Sequence, residues 1–317
     1  MTENVLPRDS ASAWERVARR VEAQNWPAGA LYVVATPIGN LGDLTLRAWQ
    51  ALDLADVIAA EDTRATRSLL DAWGIATPMM SAHRHNEASA AEAIVERLRA
   101  GARVALVSDA GTPAVSDPGG RIVQAVRDAG LTVVPMPGAS AVVTALMTVG
   151  VTTDAHPGFA FAGFAPTKSA ARQRWMRQWL VVPGALVFYE APHRIRDSLA
   201  DLLAVAGPSR QVSLARELTK RFEEVATFPL AQGQAWLDAD SHREQGEYVV
   251  VLHPLASRDD EDEDEAQDSA AGLEAWLDAL LEQVSVRDAA RIAARATGLS
   301  RDSIYARALA LKSRNPD

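Results

Sequence analysis

Residues 104–119 have the sequence VALVSDAGTPAVSDPG, and the rest of this 317-residue chain repeats the pattern that they begin. An apolar β-type run stops at Ser108 and Asp109, and a polar loop then leads into a helical pattern at residues 120–129. An ordinary strand-to-helix connection needs only a few residues. A polar loop of this length therefore indicates a ligand site at the carboxyl end of the strand, where Asp109 could hold a cationic amine.

Strand and helix patterns alternate on both sides of this stretch. β-rich runs occur at residues 31–36, 56–61 and 131–136, and helical patterns occur at residues 63–73 and 87–100. This rhythm predicts βαβ units in a mostly parallel sheet, with loops at the carboxyl ends of the strands available for ligands.

A second α/β domain follows a boundary rich in turn-forming residues at 151–158. Its β-rich runs are GFAFAGF, GALVFYEA, QVSLARELT, RFEEVATF and EYVVVLH, and its helical patterns lie at residues 170–180 and 195–205. Several runs follow one another without a helix between them, which predicts a mixed sheet. The fold class is therefore α/β, with domains at residues 31–152 and 153–256.

The two ends of the chain have a different composition. Residues 1–30 are expected to form a flexible extension with one amphipathic helix at residues 14–23. Residues 257–271 contain seven consecutive acidic residues, whose mutual repulsion predicts a solvated linker. No apolar run reaches the ~18 residues of a membrane span, and the first thirty residues lack an apolar signal core, so we expect a cytoplasmic protein with no membrane partner.

Three helical patterns in residues 272–317 form a tail whose last two helices are spaced similarly to a helix-turn-helix, with Gly298 at the stop and Ser300 as N-cap. Three arginines recur there at i, i+4 and i+8 and so share one helix face. Such a face is either a solvated surface or a contact for nucleic acid. The arginines are Arg287, Arg291 and Arg295.

The net charge of −9 argues at first against an RNA partner, because Lys and Arg hold phosphates. The acidic run carries most of that charge, and the remainder is near neutral, which permits local basic patches. The chain has no cysteine, which excludes disulfides, thiolate catalysis and thiolate zinc sites. The chemistry must come from oxygen and nitrogen groups or from a bound cofactor.

Two more loops are compatible with a ligand. TPIGNLGD follows the first strand with Gly39 and Gly42, which let the backbone approach a ligand closely, but it is neither GxGxxG nor a P-loop. PGAS, at residues 137–140, opens an apolar helix and offers free backbone N–H groups. Each loop alone is a weak signal.

Charged motifs have both a functional and a structural interpretation. Glu61 and Asp62 end a strand in AAEDTR and could orient a hydroxyl or contact RNA, although an N-cap with a salt bridge is the commoner role. His83 and His85 are predicted on one strand face, and we expect no metal because no further ligand cluster accompanies them.

A helix beginning near Lys168 is a phosphate and stacking surface or an ordinary amphipathic helix. Its other polar and aromatic members are Arg172, Arg174, Trp175, Arg177 and Trp179.

TPIGNLGD, AAEDTR, HRHNE, VSDAGTP, PGAS, FYEAPHR and LARELTK, in this order, resemble the ribosomal RNA small subunit methyltransferase I family within the tetrapyrrole methylase-like superfamily. The resemblance covers residues 31–252, and the helical tail is similar to that family's C-terminal helices. It implies a two-domain, non-Rossmann α/β methyltransferase fold with a small C-terminal helical appendage. It also implies S-adenosylmethionine in the interdomain cleft and 2′-O-methylation of a cytidine ribose in the decoding region of 16S rRNA, within the small ribosomal subunit, by a homodimer.

The resemblance places cofactor contacts on three loops of the first domain and on three places in the second. These residues are Ile38, Gly39, Asp109, Gly111, Thr112, Ser140, Ala141, Phe164, Pro166 and Ala215. The N-terminal extension and the long acidic linker depart from the family pattern and leave the placement of the tail open.

A ribose hydroxyl is a poor acid, so a base or electrostatic partner near it should contribute about 10²–10⁴ in rate. The candidates are Glu61, Asp62, Lys168 and Glu217, because each belongs to a motif expected to face the cleft. Our hypothesis is that Glu61 or Asp62 orients the ribose while Lys168 or a tail arginine engages phosphate, the tail contacting RNA backbone without reading sequence. Two alternatives stay open: a methyltransferase for a small tetrapyrrole-like substrate, and a non-catalytic nucleic-acid-binding protein.

Overall fold

A computed structural model describes the chain in two compact units, Met1–Pro254 and Leu255–Asp317. The described residues are 9–154, 156–255, 273–274, 277–278, 280–281, 284–297 and 300–314. The predicted acidic linker and part of the predicted helix at 272–283 lie outside them, as do residues 1–8.

The first sheet contains five strands in the order β3-β2-β4-β1-β5, and every neighbouring pair is parallel, which confirms the prediction from the alternating pattern. Leu31 pairs with Val104 of β4 on one side, and Ala30 pairs with Thr132 of β5 on the other, so β1 is an interior strand and β4 is the central one. The strands are β1 (Ala30–Val34), β2 (Val57–Ala60), β3 (Met79–Ser81), β4 (Val104–Val107) and β5 (Thr132–Met136).

Helices cover both faces of this sheet, which is why its strands are apolar at nearly every position. Side chains alternate along a strand, so Tyr32 points into one core cluster with Leu52 and Leu70, whereas Leu31 points into the other with Ile94. The helices of this domain are α2 (Leu46–Leu54), α3 (Thr63–Ala72), α4 (Glu87–Arg99), α5 (Gly120–Asp128) and α6 (Ala141–Val149).

The chain before the first sheet forms helix α1 (Asp9–Glu22), which begins five residues earlier than predicted. Val21 at its end is buried, and Trp26 packs against the first core cluster. The indole of Trp26 donates to the Val21 carbonyl at 3.1 Å, and Arg103 donates to the Trp26 carbonyl at 3.2 Å. The segment that enters β1 is thus fixed to the first domain by packing and by hydrogen bonds.

The second sheet has the order β6-β7-β10-β8-β9. β6 and β7 are parallel and the other pairs are antiparallel, as the adjacent β-rich runs predict. Its core includes Phe188, Leu214 and Val250. The strands are β6 (Phe159–Phe164), β7 (Ala185–Glu190), β8 (Gln211–Arg216), β9 (Glu224–Pro229) and β10 (Tyr248–Leu252), and the helices are α7 (Ser169–Trp179), α8 (Ile195–Ala206) and α9 (Gly233–Asp238).

In the second unit, helices α10 (Val286–Thr297) and α11 (Arg301–Arg314) pack through small and aliphatic residues, among them Ala290, Ala293 and Ile304. The three predicted arginines lie on α10, and the guanidinium of Arg291 pairs with Asp288 at 2.8 Å. Arg287, Arg291 and Arg295 are exposed. None of the helices within the described ranges combines the length and apolar character that a membrane crossing requires.

One local prediction is wrong: His83 and His85 do not share a strand face. β3 ends at Ser81, and both histidines lie in the turn that precedes α4, where the Asn86 side chain accepts the His83 N–H at 2.8 Å. The Asn86 side chain favours this turn because its amide oxygen satisfies a backbone donor.

Candidate active site

The carboxyl ends of the first sheet's strands meet the second sheet at a cavity of about 340 Å³. Loops after β1, β4 and β5 form one wall, and residues of β6, β7, β8 and β10 with their adjoining loops form the other. Parallel strands direct their carboxyl ends to one edge, so three loops distant in sequence converge there.

Backbone hydrogen bonds join the three loops of the first wall. Thr36 donates to the Gly111 carbonyl at 2.8 Å, and Gly111 donates back to Thr36 at 3.0 Å. The Thr112 hydroxyl then donates to the Ala139 carbonyl at 3.1 Å, which ties the loop after β4 to the loop after β5. Gly111 has a φ of +78°, and a Cβ there would stand 3.3 Å from Ile38 Cγ2. The close approach and the left-handed backbone both favour glycine.

The loop after β4 is strained and held at its far end. Ala114 and Ser116 have φ values of 69° and 66°, a conformation that costs about 1–3 kcal/mol per non-glycine residue and is common at functional sites. The buried carboxylate of Glu87 accepts N–H groups from Gly119 and Arg121 at 2.9 and 3.0 Å. The glutamate of the HRHNE motif therefore fixes the loop where α5 begins.

Seven of the ten residues expected to contact cofactor line this cavity, and Gly39, Asp109 and Pro166 do not. The seven are Ile38, Gly111, Thr112, Ser140, Ala141, Phe164 and Ala215.

The other three residues contact protein groups beside the cavity. Gly39 packs under Lys220. The Asp109 carboxylate accepts the Asp62 N–H at 2.9 Å, and the Pro166 carbonyl accepts a guanidinium hydrogen bond from Arg194 at 3.1 Å. These contacts hold the rim of the site together.

The two carboxylates of AAEDTR have different environments. Asp62 is the N-cap of α3 and pairs with Arg64 at 3.0 Å, which is the structural role considered for it. Hydrogen bonds from Arg64 lower the pKa of Asp62. Burial, followed by the charge of Asp109, raises the pKa of Glu61. Neither carboxylate lines the cavity.

Glu217 and Lys168 also lie off the cavity wall. Burial alone would raise the pKa of Glu217, but hydrogen bonds from Lys220 and from the Glu247 backbone together lower it. Lys168 is exposed at the residue before α7.

The helix that follows Lys168 is not a phosphate and stacking surface along its whole length. Arg172 is 2% exposed and pairs with Asp201 at 2.6 Å, because a buried guanidinium needs a carboxylate partner. Trp175 and Trp179 pack against the core of the second sheet. Arg174 and Arg177 remain exposed, so only part of this helix is available to a partner.

Several cavity-lining residues were not singled out from the sequence. Asp117 belongs to the long loop, and burial followed by the charge of Glu61 raises its pKa to about 6. Tyr189 belongs to YEAPHR and contacts the Phe164 ring with centroids 5.2 Å apart; burial raises the pKa of its hydroxyl to about 12. Their motifs were visible, but nothing in the spacing showed which side chain faces the cavity. Glu190, Lys220 and Glu247 are further examples.

The site is a largely apolar cleft with polar backbone and Asp117 at one wall and the charged side chains of Glu190, Lys220 and Glu247 at the other. Across the described ranges, no group of three or more His, Cys, Asp and Glu side chains is arranged to hold a metal ion. A cleft of this size suits one small organic molecule.

A family model described as Tetrapyrrole (Corrin/Porphyrin) Methylases matches residues 30–233, and one described as RsmI C-terminal HTH domain matches residues 266–312. A similar fold occurs in uroporphyrin-III C-methyl transferase from Thermus thermophilus complexed with S-adenyl homocysteine. That structure has a TM-score of 0.50 and 19% identity, covering 71% of this chain and 97% of its own. Fold and cavity thus define an α/β methyltransferase of the tetrapyrrole methylase class.

Closer relatives narrow the class. Ribosomal RNA small subunit methyltransferase I of Vibrio cholerae is 48% identical over 229 residues, which are 72% of this chain and 78% of the relative. The protein of that name in Escherichia coli O157:H7 is 46% identical over 224 residues, 71% of this chain and 77% of the relative. The chain therefore belongs to the ribosomal RNA small subunit methyltransferase I family.

Proposed function

We propose that this protein transfers a methyl group from S-adenosylmethionine to the 2′-hydroxyl of a cytidine ribose in the decoding region of 16S rRNA. The observation that carries the proposal is the cavity at which the three loops converge, in a chain of the rRNA methyltransferase family. A tetrapyrrole acceptor would use the same cavity but would have no use for the helical tail with its exposed arginines.

The residues present fit the cofactor. Ile38, Ala141 and Phe164 offer apolar contact area, and Gly111 lets the loop backbone lie close to Ile38 at the cavity wall, where a side chain would crowd it. Ser140 precedes α6, whose first N–H groups lack helical acceptors and can donate to a polar ligand. When bound, S-adenosylmethionine supplies an electrophilic methyl group on a positively charged sulfur.

Positioning is the main requirement, because in-line displacement needs the hydroxyl oxygen and the methyl carbon held in alignment. We propose that the joined loops hold the cofactor while exposed cations, Lys168 and the arginines of α10, hold the RNA backbone. Of the Glu61 and Asp62 pair, Glu61 is the better candidate to influence the ribose, because the Asp62 carboxylate already caps α3.

The acceptor we propose is the rRNA within the small ribosomal subunit, which places the enzyme in the cytoplasm, and the active form we propose is a homodimer. The relatives' shared name, which specifies small-subunit rRNA, supports this acceptor. Sedimentation of the purified protein at several concentrations would test the dimer directly.

The experiment compares acceptors under one set of conditions. The protein is incubated with methyl-labelled S-adenosylmethionine and, separately, with undermethylated small subunits, protein-free 16S rRNA, large subunits and uroporphyrinogen III, and cofactor binding is measured by calorimetry. We expect label only in the sample that contains assembled small subunits, in their rRNA. Label in the tetrapyrrole would establish the small-molecule alternative, and a protein that binds RNA but no cofactor would establish the non-catalytic one.

A further inference from the structure

Among the residues that the structure describes, four charged side chains line the cavity, and three of them already have partners of opposite charge. Glu190 pairs with Arg194 at 3.1 Å. Lys220 pairs with both Glu217, at 2.9 Å, and Glu247, at 2.8 Å, and Glu247 is itself on the cavity wall. These ion pairs occupy the three groups and hold the rim of the cavity together.

Asp117 is the fourth, and in the part of the chain that the structure describes its carboxylate has no ion-pair partner within 4 Å. The nearby Ser108 side chain favours the ionised form of Asp117, and its hydroxyl donates to the Ala110 carbonyl at 3.3 Å. Other charged groups face it from three directions: Glu61 after β2, Asp109 after β4 and Arg84 in the turn before α4. The two carboxylates oppose its ionisation, and the single guanidinium favours it.

The environment of Asp117 makes it a stronger base than an ordinary aspartate. Burial and the neighbouring charge of Glu61 raise its pKa to about 6, so the group is mostly ionised above pH 7 yet holds a proton more firmly than usual. Across the cavity, burial and then the negative charge of Asp117 raise the pKa of the Tyr189 hydroxyl.

The loop holds this carboxylate in place before any ligand arrives. Ala114 donates its N–H to the Pro118 carbonyl at 3.2 Å, which closes a turn around Asp117, and Ser116 immediately before it has a positive φ. Glu87 then fixes the N–H of Gly119. A group that is positioned in advance loses little entropy when the reaction needs it.

We propose that Asp117 is the catalytic residue that accepts the proton of the acceptor hydroxyl, a role that rests on the methyl transfer proposed above. As the oxygen forms its bond to the methyl carbon, the carbon–sulfur bond breaks and its electron pair stays on sulfur. The hydroxyl proton passes to Asp117 Oδ. The products are a methyl ether, neutral S-adenosylhomocysteine and protonated Asp117, which returns its proton to water.

In this arrangement Glu61 is a positioning residue. It does not line the cavity and acts through its charge on Asp117. Removing that charge in Glu61→Gln should lower the pKa of Asp117 without removing the base, an effect that simple loss of structure would not produce.

The test uses the full-length protein with small subunits as acceptor. In Asp117→Asn we expect kcat at saturating cofactor to fall by about 10²–10⁴-fold. The dissociation constant for S-adenosylhomocysteine, measured by calorimetry, should stay within a fewfold of the parent, which also shows that the variant is folded. Asp128→Asn, an exposed carboxylate at the end of α5, is the matched control and should keep parent activity.

A second readout follows the carboxylate itself. Carbon-detected NMR of the free protein should show the Asp117 carboxyl titrating near pH 6, and the acidic limb of the kcat/KM profile, which reports the free enzyme, should coincide with it. In Glu61→Gln both should move to lower pH. If the parent is active and Asp117→Asn has a similar kcat, the inference is overturned. It is also overturned if the substitution raises only the KM for the cofactor, because Asp117 would then be a contact for the sulfonium group. An inactive parent would instead refute the proposed function.

Discussion

Lys220 lies directly over Gly39, although the two residues belong to different α/β domains. A Cβ added to Gly39 would stand 2.4 Å from Lys220 Cγ and 3.1 Å from Thr219 Oγ1. The ammonium group of Lys220 is held by Glu217 and Glu247, so the side chain cannot leave without losing two ion pairs. This contact joins the loop after β1 to the second domain at the rim of the cavity.

Gly39→Ala should weaken cofactor binding, because the added methyl group must displace a tethered side chain at a cost of about 1–3 kcal/mol. Calorimetric titration with S-adenosylhomocysteine measures the effect. Lys220→Ala in the Gly39→Ala background should recover most of the loss, since the obstructing atoms are gone. Equal loss with and without Lys220 would show that the contact is not the cause.

The buried pair of Arg172 and Asp201 should dominate the stability of α7. Asp201→Asn should reduce the free energy of unfolding by about 3–5 kcal/mol, because it leaves a buried guanidinium without its countercharge. Urea unfolding followed by circular dichroism measures this. Arg174→Ala, an exposed position on the same helix, is the control and should change stability by no more than about 0.5 kcal/mol. A similar small change in Asp201→Asn would contradict the assignment.

His253 should make the protein less stable in mild acid. Burial, then the charge of Arg210, lowers its pKa below the ordinary 6.5, and the ring lies 2.7 Å from the Ser213 hydroxyl. The unfolded chain binds a proton on His253 more tightly than the folded protein does. The contribution of neutral His253 to the free energy of unfolding is therefore complete above about pH 6.5 and is lost progressively as the pH falls below that value. In His253→Gln the free energy of unfolding should therefore depend less steeply on pH than in the parent between about pH 5 and pH 7, the range around the ordinary histidine pKa. Parallel curves for parent and variant would refute it.

The exposed arginines of α10 should contribute to RNA affinity through phosphate. Neutralising Arg287, Arg291 and Arg295 to Gln should weaken binding of small-subunit rRNA and reduce the slope of log K against log salt by about 1 for each lost phosphate contact. Filter binding at several salt concentrations measures the slope. A control variant loses the same charge from exposed positions of the first domain, at Arg97, Arg99 and Arg127. If both variants show the same slope, the arginines of α10 make no phosphate contacts beyond those of any exposed arginine, and the prediction is wrong.

Regular elements could be predicted from the sequence because their signals are local. The strands β1, β2, β4 and β5 lie within a few residues of the apolar runs that predicted them. The helices α3, α4 and α5 likewise lie within a few residues of the predicted helical patterns. The order β3-β2-β4-β1-β5 could not be predicted in the same way, because it depends on which helix packs on which face. The strand predicted at His83 and His85 is misplaced, because β3 ends at Ser81 and its three residues are too few to fix its position by periodicity.

The candidate site was predictable as loops but not as side chains. The motifs TPIGN, SDAGTP and PGAS meet because they follow strands of one parallel sheet, which periodicity indicates. Asp117 owes its environment to Glu61, and Arg172 owes its burial to Asp201, a residue on the next helix. Such pairings arise from tertiary packing. A basic residue in an amphipathic helix is therefore predicted to be exposed unless its buried partner is known.

The position of the transferred methyl group tests the central claim most directly. Undermethylated small subunits are incubated with the protein and methyl-labelled S-adenosylmethionine, and the rRNA is then digested with alkali and with nuclease so that the labelled nucleotide can be mapped. The account predicts label on one cytidine of the decoding region, in a linkage that resists alkali because its 2′-oxygen is methylated. Label on a base, or on a nucleotide outside that region, would contradict it.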